Sequence, residues 1–184
     1  MREWRLAGLR QLWSRGYGHR VSPARFITDS SLESLARRLR FLGHDVTTLA
    51  GARLEEVLAV AEREGRTVLT LSTRRPRRWA DVPAITVERG DEAGAVRRLD
   101  AAFEPAGPPF SRCGICGTAL ERRHGFEAHG EVPGRVLRSA PFLHHCPGCG
   151  KWYWEGTHVV RIREWLEQAL GRPLAPPGGT PGTG

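Results

Sequence analysis

Long apolar runs are missing from this sequence. No stretch of more than twelve residues is free of Asp, Glu, Lys and Arg, and the two longest such stretches are rich in Pro, Gly, His or Cys. A transmembrane helix, which needs roughly twenty apolar residues, is thereby excluded. The apolar core of a secretory signal is missing as well, because Arg2, Glu3, Arg5 and Arg10 interrupt the first ten positions. An unexported protein is expected, with the cytoplasm as its compartment. Lysine is nearly absent: Lys151 stands alone among 28 basic residues, the others all being Arg. That skew could suit bidentate phosphate recognition, but a GC-rich coding bias accounts for it, so only the net sign of the charge carries the argument. Acids are in the minority, 20 against 28, giving a net charge of +8 and a pI near 10.5. Such a balance favours polyanionic partners such as nucleic acid, since each phosphate contact releases counterions.

What is present divides the chain. Residues 1–23 form a basic extension in which Trp4, Leu6, Leu9, Leu12 and Trp13 recur at helical spacing. The pattern predicts a short amphipathic helix over residues 3–14, either covering the main domain or serving as an arm for RNA or a protein partner. From residue 24 to 109 strand and helix signals alternate. Arg25 to Thr28 reads as a strand, and Ser30 with Glu33 reads as a capping box opening a helix. That helix carries Leu32, Leu35, Ala36, Leu39 and Leu42 on one face, with Arg37, Arg38 and Arg40 pointing elsewhere and Gly43 as its stop. Strands are expected at Asp45–Leu49, Thr67–Leu71 and Ala84–Val87, and helices around Leu54–Ala61 and Glu92–Phe103. Strands separated by helices of about a dozen residues imply parallel pairing, hence a small α/β sandwich with a parallel sheet.

Over residues 110–158 the alternation gives way to turns, cysteines and short β-like runs. The four cysteines fall in two pairs, Cys113 with Cys116 and Cys146 with Cys149, each pair followed by a glycine. Two CxxC pairs supply the four thiolates of a closed structural Zn²⁺ site. Disulfides fit poorly with a reducing compartment, and the spacing departs from bacterial iron–sulfur patterns. With so few aliphatic residues, the module is expected to draw much of its folding free energy from the metal. The 29 residues between the pairs suggest a β-hairpin excursion through His124 to Arg138. His144, His145 and His158 read as surface or hydrogen-bonded histidines. Trp152, Tyr153 and Trp154 offer stacking surfaces for bases or a mini-core for the ribbon. A helix is expected within residues 159–171, and residues 172–184, with four Pro and four Gly, are expected to be a disordered tail.

Several of these runs resemble the Mut-seven C-terminal ribonuclease domain family. They are Phe26-Ile27-Thr28-Asp29 through Leu32; Leu35-Ala36-Arg37 through Gly43-His44-Asp45-Val46; and Ala61 through Gly65-Arg66 to Thr70. The ribbon motifs match too: Arg112-Cys113 with Cys116, Cys146-Pro147 with Cys149 and Lys151, and Tyr153-Trp154 with Gly156-Thr157-His158. The resemblance spans about residues 25–160 and implies a PIN-like nuclease fold with a C-terminal zinc ribbon. It further implies carboxylates at the C-terminal sheet edge that hold Mg²⁺ or Mn²⁺ for phosphodiester hydrolysis, hard cations taking oxygen ligands. Asp29 matches the first of these acids. Leu54 stands where the family has Asp, and Ser72 where its third strand ends in a carboxylate. Glu55, Glu56, Glu88 and Asp91 are the substitutes within reach, Glu88 foremost because it would end the fourth strand on Asp29's edge. Asp45 matches the family but should lie at the opposite edge. Behind Ser72, Arg74, Arg75, Arg77 and Arg78 surround Pro76 and suit phosphate binding without cleavage.

The expectation is an RNA-binding or RNA-processing protein, acting on RNA or a ribonucleoprotein, whose acidic site is degenerate. An active metal-dependent endoribonuclease using Asp29, and a protein–protein adaptor working through the N-terminal helix or the ribbon, are the alternatives.

Overall fold

A computed structural model describes residues 24–175. The helix expected over residues 3–14 lies outside the described residues, as do residues 176–184. The first unit runs β1 (Arg25–Asp29), α1 (Glu33–Phe41), β2 (Asp45–Leu49), α2 (Leu54–Glu64), β3 (Thr67–Thr70), β4 (Ala84–Thr86) and α3 (Glu92–Ala102). Its four strands pair in parallel in the order β2-β1-β3-β4. Because side chains alternate across a strand, neighbours along β1 and β3 feed opposite layers. Phe26 and Leu69 join the cluster under α1 and α3, while Ile27 and Val68 join Val57, Leu58 and Ala61 of α2. A parallel sheet buried on both faces is the result, as the crossover helices require.

The second unit runs β5 (Glu121–His124), α4 (Gly134–Ser139), β6 (Phe142–His145) and β7 (Trp152–Tyr153), forming an antiparallel sheet in the order β5-β6-β7. The excursion expected as a β-hairpin pairs β5 with β6 antiparallel, but its connection through Arg138 is largely helical, with a 3-10 turn at Gly125–Ala128 and then α4. Pro133, just before α4, has φ −55° and suits a helix start better than a strand. A final helix, α5 (Thr157–Leu170), leaves the ribbon and returns to the sandwich, burying Ile162 and Leu166 in the larger core.

Three expectations from the sequence need correction. Ser30 and Glu33 do not form a capping box: Ser30 Oγ accepts from the Gly51 amide, and Glu33 takes the Arg40 guanidinium. A 3-10 turn at Ser30–Leu32, capped by Asp29, precedes α1 instead. Arg40 does not point away from the core but is 0% exposed. Residues 172–175, expected to begin the tail, are anchored at two points: Leu174 is buried and Arg172 Nη2 meets Asp100 Oδ2 at 2.7 Å.

Candidate metal centre and sheet rim

Each CxxC pair is shaped by a tight turn. The amide of Gly117 donates to Cys113 O, and that of Gly150 to Cys146 O, with φ of +79° and +73° that glycine adopts without a Cβ penalty. The turns bring all four Sγ atoms within 4.8 Å of one another, Cys116 to Cys146 at 3.3 Å and Cys113 to Cys149 at 3.6 Å. Four thiolates around Zn²⁺ at ~2.3 Å would be separated by about 3.8 Å, so this donor set fits a tetrahedral thiophilic ion. Cys113 and Cys146 are buried, and Cys116 and Cys149 face solvent.

The free thiols differ electrostatically. Burial opposes ionisation of Cys113, but the Tyr153 hydroxyl at 3.0 Å and the amides of Cys116 and Ile115 overcome it and bring its pKa down to about 6. Burial pushes Cys146 up to about 12 and Cys149 upward as well. Tyr153, expected as a base-stacking residue, has its hydroxyl in the cysteine cluster, where burial and the thiol raise its own pKa. Trp152 and Trp154 are partly buried and pack against Ala128, Val132 and Leu143, so they complete the ribbon's mini-core while part of each stays open to solvent. His145 lies against Trp152 at 4.6 Å between ring centroids, and among the described residues no histidine joins the cysteine cluster.

Arg40 couples this centre to the sandwich. Its Nε donates to Val46 O at 2.9 Å and its Nη2 to Thr48 Oγ1 on β2. Its Nη1 reaches Gly114 O and Ile115 O, inside the first CxxC pair, as well as Glu33. A buried charge is tolerable only with such saturation. Contact is close at two glycines: a Cβ on Gly114 would lie 2.6 Å from the Phe41 ring, and one on Gly117 2.6 Å from Val46 O. Asp45 lies at the N-terminal sheet edge, as expected, paired with Arg66 at 2.8 Å and Arg112 at 3.6 Å. No spacing rule pointed to Arg40, because the helical stripe grouped it with exposed Arg37.

At the opposite rim, β1 ends at Asp29 beside Leu49. Asp29 Oδ1 accepts from the Ser31 amide at 2.7 Å, a cap. Glu56 accepts from the Arg53 amide, and Asp91 from the Gly94 amide, each capping its own helix. Arg98 and the Gly94 amide also hold the Asp91 carboxyl below its usual range. Glu55 and Glu88 are exposed. Among the described residues, the cysteines are the sole group of three or more Asp, Glu, His or Cys side chains whose ligand atoms converge. No three of the rim acids bring their ligand atoms together among the described residues. Ser72 is committed to its own turn, its Oγ donating to Arg74 O at 2.9 Å while the Arg74 amide donates back. Beyond it Arg74, Arg77 and Arg78 are exposed, Arg78 lies over the Trp79 ring, and Arg75 Nη1 donates to Val82 O at 2.6 Å.

Comparison with protein families decides the assignment: the model of the Mut7-C RNAse domain matches residues 24–166. The chain belongs to that family. No curated protein and no solved structure matches it. Membership in the Mut7-C family gives the chain a ribonuclease-like or RNA-related role, and its four cysteines are positioned to bind a metal. No helix among the described residues is long and apolar enough to cross a membrane.

Proposed function

We propose that this Mut7-C chain binds RNA in the cytoplasm as a zinc-ribbon member of the PIN-like lineage, with phosphodiester hydrolysis weakened or lost. The observation that carries this reading is the employment of the rim acids: Asp29, Glu56 and Asp91 each cap a local backbone amide. Ser72, where the family's third strand ends in a carboxylate, organises a turn that leads into exposed arginines. A rim carrying Arg74, Arg77 and Arg78 attracts phosphate, whereas hydrolysis needs divalent ions neutralising the scissile group. The four thiolates hold Zn²⁺ as a structural ion, without an open coordination position for chemistry.

The test is hydrolysis of labelled single-stranded RNA with Mn²⁺, comparing the wild type with Asp29→Asn. Asn caps about as well as Asp, so the variant keeps the 3-10 turn at Ser30–Leu32 while removing the carboxylate charge. No Mn²⁺-dependent cleavage, together with micromolar binding that weakens with salt, is the expected result. Cleavage that disappears in Asp29→Asn would establish an active endoribonuclease. Absence of RNA binding even at about 50 mM salt would leave the protein-adaptor reading.

A further inference from the structure

The seam between sandwich and ribbon encloses a cavity of about 650 Å³, bounded by α1, the first CxxC turn, α4, β7 and the start of α5. Three cations from three separate segments line it: Arg37 on α1, Arg135 on α4, and Lys151 just after the second CxxC pair. All three are exposed, and none forms an ion pair among the described residues. Their neighbours behave differently. Arg38, one position along α1, meets Glu92 at 3.4 Å and lies over the Trp165 ring, and Arg40 is buried and saturated. Among the described residues Glu155 is the one acid lining the cavity, so the described cations outnumber it.

Aromatic faces line it too, Trp152 and Trp154 on the ribbon side and Phe41 on the sandwich side, beside the polar Ser139, Thr157 and His158. The first turn of α5 also lines the cavity and carries no acid, and Gly156 caps it without a side chain, so its free amides add to the positive potential. Uncompensated cations beside aromatic faces match a single nucleic-acid strand, whose phosphates are neutralised while its bases stack.

We infer that this seam is a binding groove for single-stranded RNA, with Arg37, Arg135 and Lys151 gripping successive phosphates and the Trp-lined ribbon wall receiving bases. This rests on the RNA-binding reading above but moves the main contact from the Arg74–Arg78 loop to the seam. It also explains why the ribbon is fastened so tightly to the sandwich. A groove with cations on both parts keeps its shape only if Arg40 and the close contacts at Gly114 and Gly117 hold the two together.

The experiment measures binding of 5′-labelled oligouridine across a salt series, using zinc-loaded full-length protein. The wild type is compared with Arg37→Ala/Arg135→Ala/Lys151→Ala and with Arg74→Ala/Arg77→Ala/Arg78→Ala. The substituted side chains are exposed, and unchanged zinc content and circular dichroism verify that both variants are folded. The seam variant is expected to bind at least about tenfold more weakly, and its plot of log affinity against log salt to flatten by about 2, three contacts at ~0.7 each. The loop variant is expected to lose less. Wild-type affinity and slope in the seam variant would overturn the groove while leaving RNA binding intact. A wild type that binds no RNA would overturn the groove and the proposed function together.

Discussion

The sandwich and the ribbon reach order by different physical routes. The sandwich buries two apolar clusters, one on each face of its sheet, built from Phe26, Leu39, Val46 and Leu69 on one side and Ile27, Leu58 and Val68 on the other. The ribbon's cluster has only Ala128, Val132 and Leu143 fully buried, with the tryptophans packed against it. At about 25 cal/mol per Å² of apolar surface, three small or medium side chains cannot offset the entropy of ordering some forty residues. On the proposed reading the same chain holds one part that folds by excluding water and another that depends on four sulfurs being held together. The comparison predicts that each part fails under a different insult.

Removing the metal is the most severe test, because structural Zn²⁺ contributes roughly 10–16 kcal/mol of apparent binding energy to small domains at neutral pH. Chelation, or Cys146→Ser, is expected to abolish amide-exchange protection at Leu143 and Trp152 while Phe26 and Val68 remain protected. Loss of protection in both parts at once would show that the sandwich cannot stand without its annex. Because burial pushes Cys146 up to about 12 in the free thiol and raises Cys149, binding must displace their protons. Zinc affinity should accordingly rise with pH and fall in acid, with proton release measurable by calorimetry in buffers of different ionisation enthalpy.

Arg40 is where the two routes meet, so its loss should cost the next largest amount. Arg40→Met keeps the volume of the stem but leaves Val46 O, Gly114 O, Ile115 O and Thr48 Oγ1 without their donor. Removing one partner of a buried charged network typically costs about 3–5 kcal/mol. The variant should show that loss in denaturant, with weaker zinc retention, since two of the abandoned carbonyls lie inside the first CxxC turn. By contrast Leu39→Ala, wholly within the sandwich core, should cost about 2–5 kcal/mol and leave zinc affinity unchanged. Altered zinc affinity in Leu39→Ala would mean the parts are coupled through more than Arg40.

The same contrast explains what could be read from residues alone. The sandwich was legible because period-2 and period-3.6 patterns alternate cleanly, and the apolar stripe of Leu35, Ala36, Leu39 and Leu42 faces the sheet as the spacing requires. The metal site was legible because thiolate chemistry admits few spacings. Arg40 was not, because a helical stripe assigns a charged residue to solvent and cannot foresee carbonyls arriving from residues 114 and 115, far along the chain. The helical excursion at Gly134–Ser139 was also missed, since six residues with one glycine carry too little periodicity to separate helix from hairpin. Tyr153 was misread for a similar reason: strand alternation separates it from Trp152 and Trp154 but does not say that the opposite face looks onto sulfur.

The smallest effect belongs to the segment that returns from α5. Arg172 Nη2 pairs with Asp100 Oδ2 at 2.7 Å, and Leu174 is buried beyond it. Burial alone would raise the Asp100 carboxyl, but the nearby His44 imidazole, 3.6 Å away, and the hydrogen bond from Arg172 bring it below its ordinary value. A carboxylate depressed in the folded state adds stability above its unfolded pKa, near ~3.9, and loses that contribution as pH falls through the folded value. Arg172→Ala, whose guanidinium is 45% exposed, should therefore cost only about 1 kcal/mol at neutral pH. The difference from wild type should shrink as the pH falls through the depressed value of the Asp100 carboxyl, below the ordinary carboxylate range, where it protonates in either protein. A deficit that persisted unchanged into acid would assign the contribution of this segment to the packing of Leu174, placing it with the water-excluding sandwich and not with any charge.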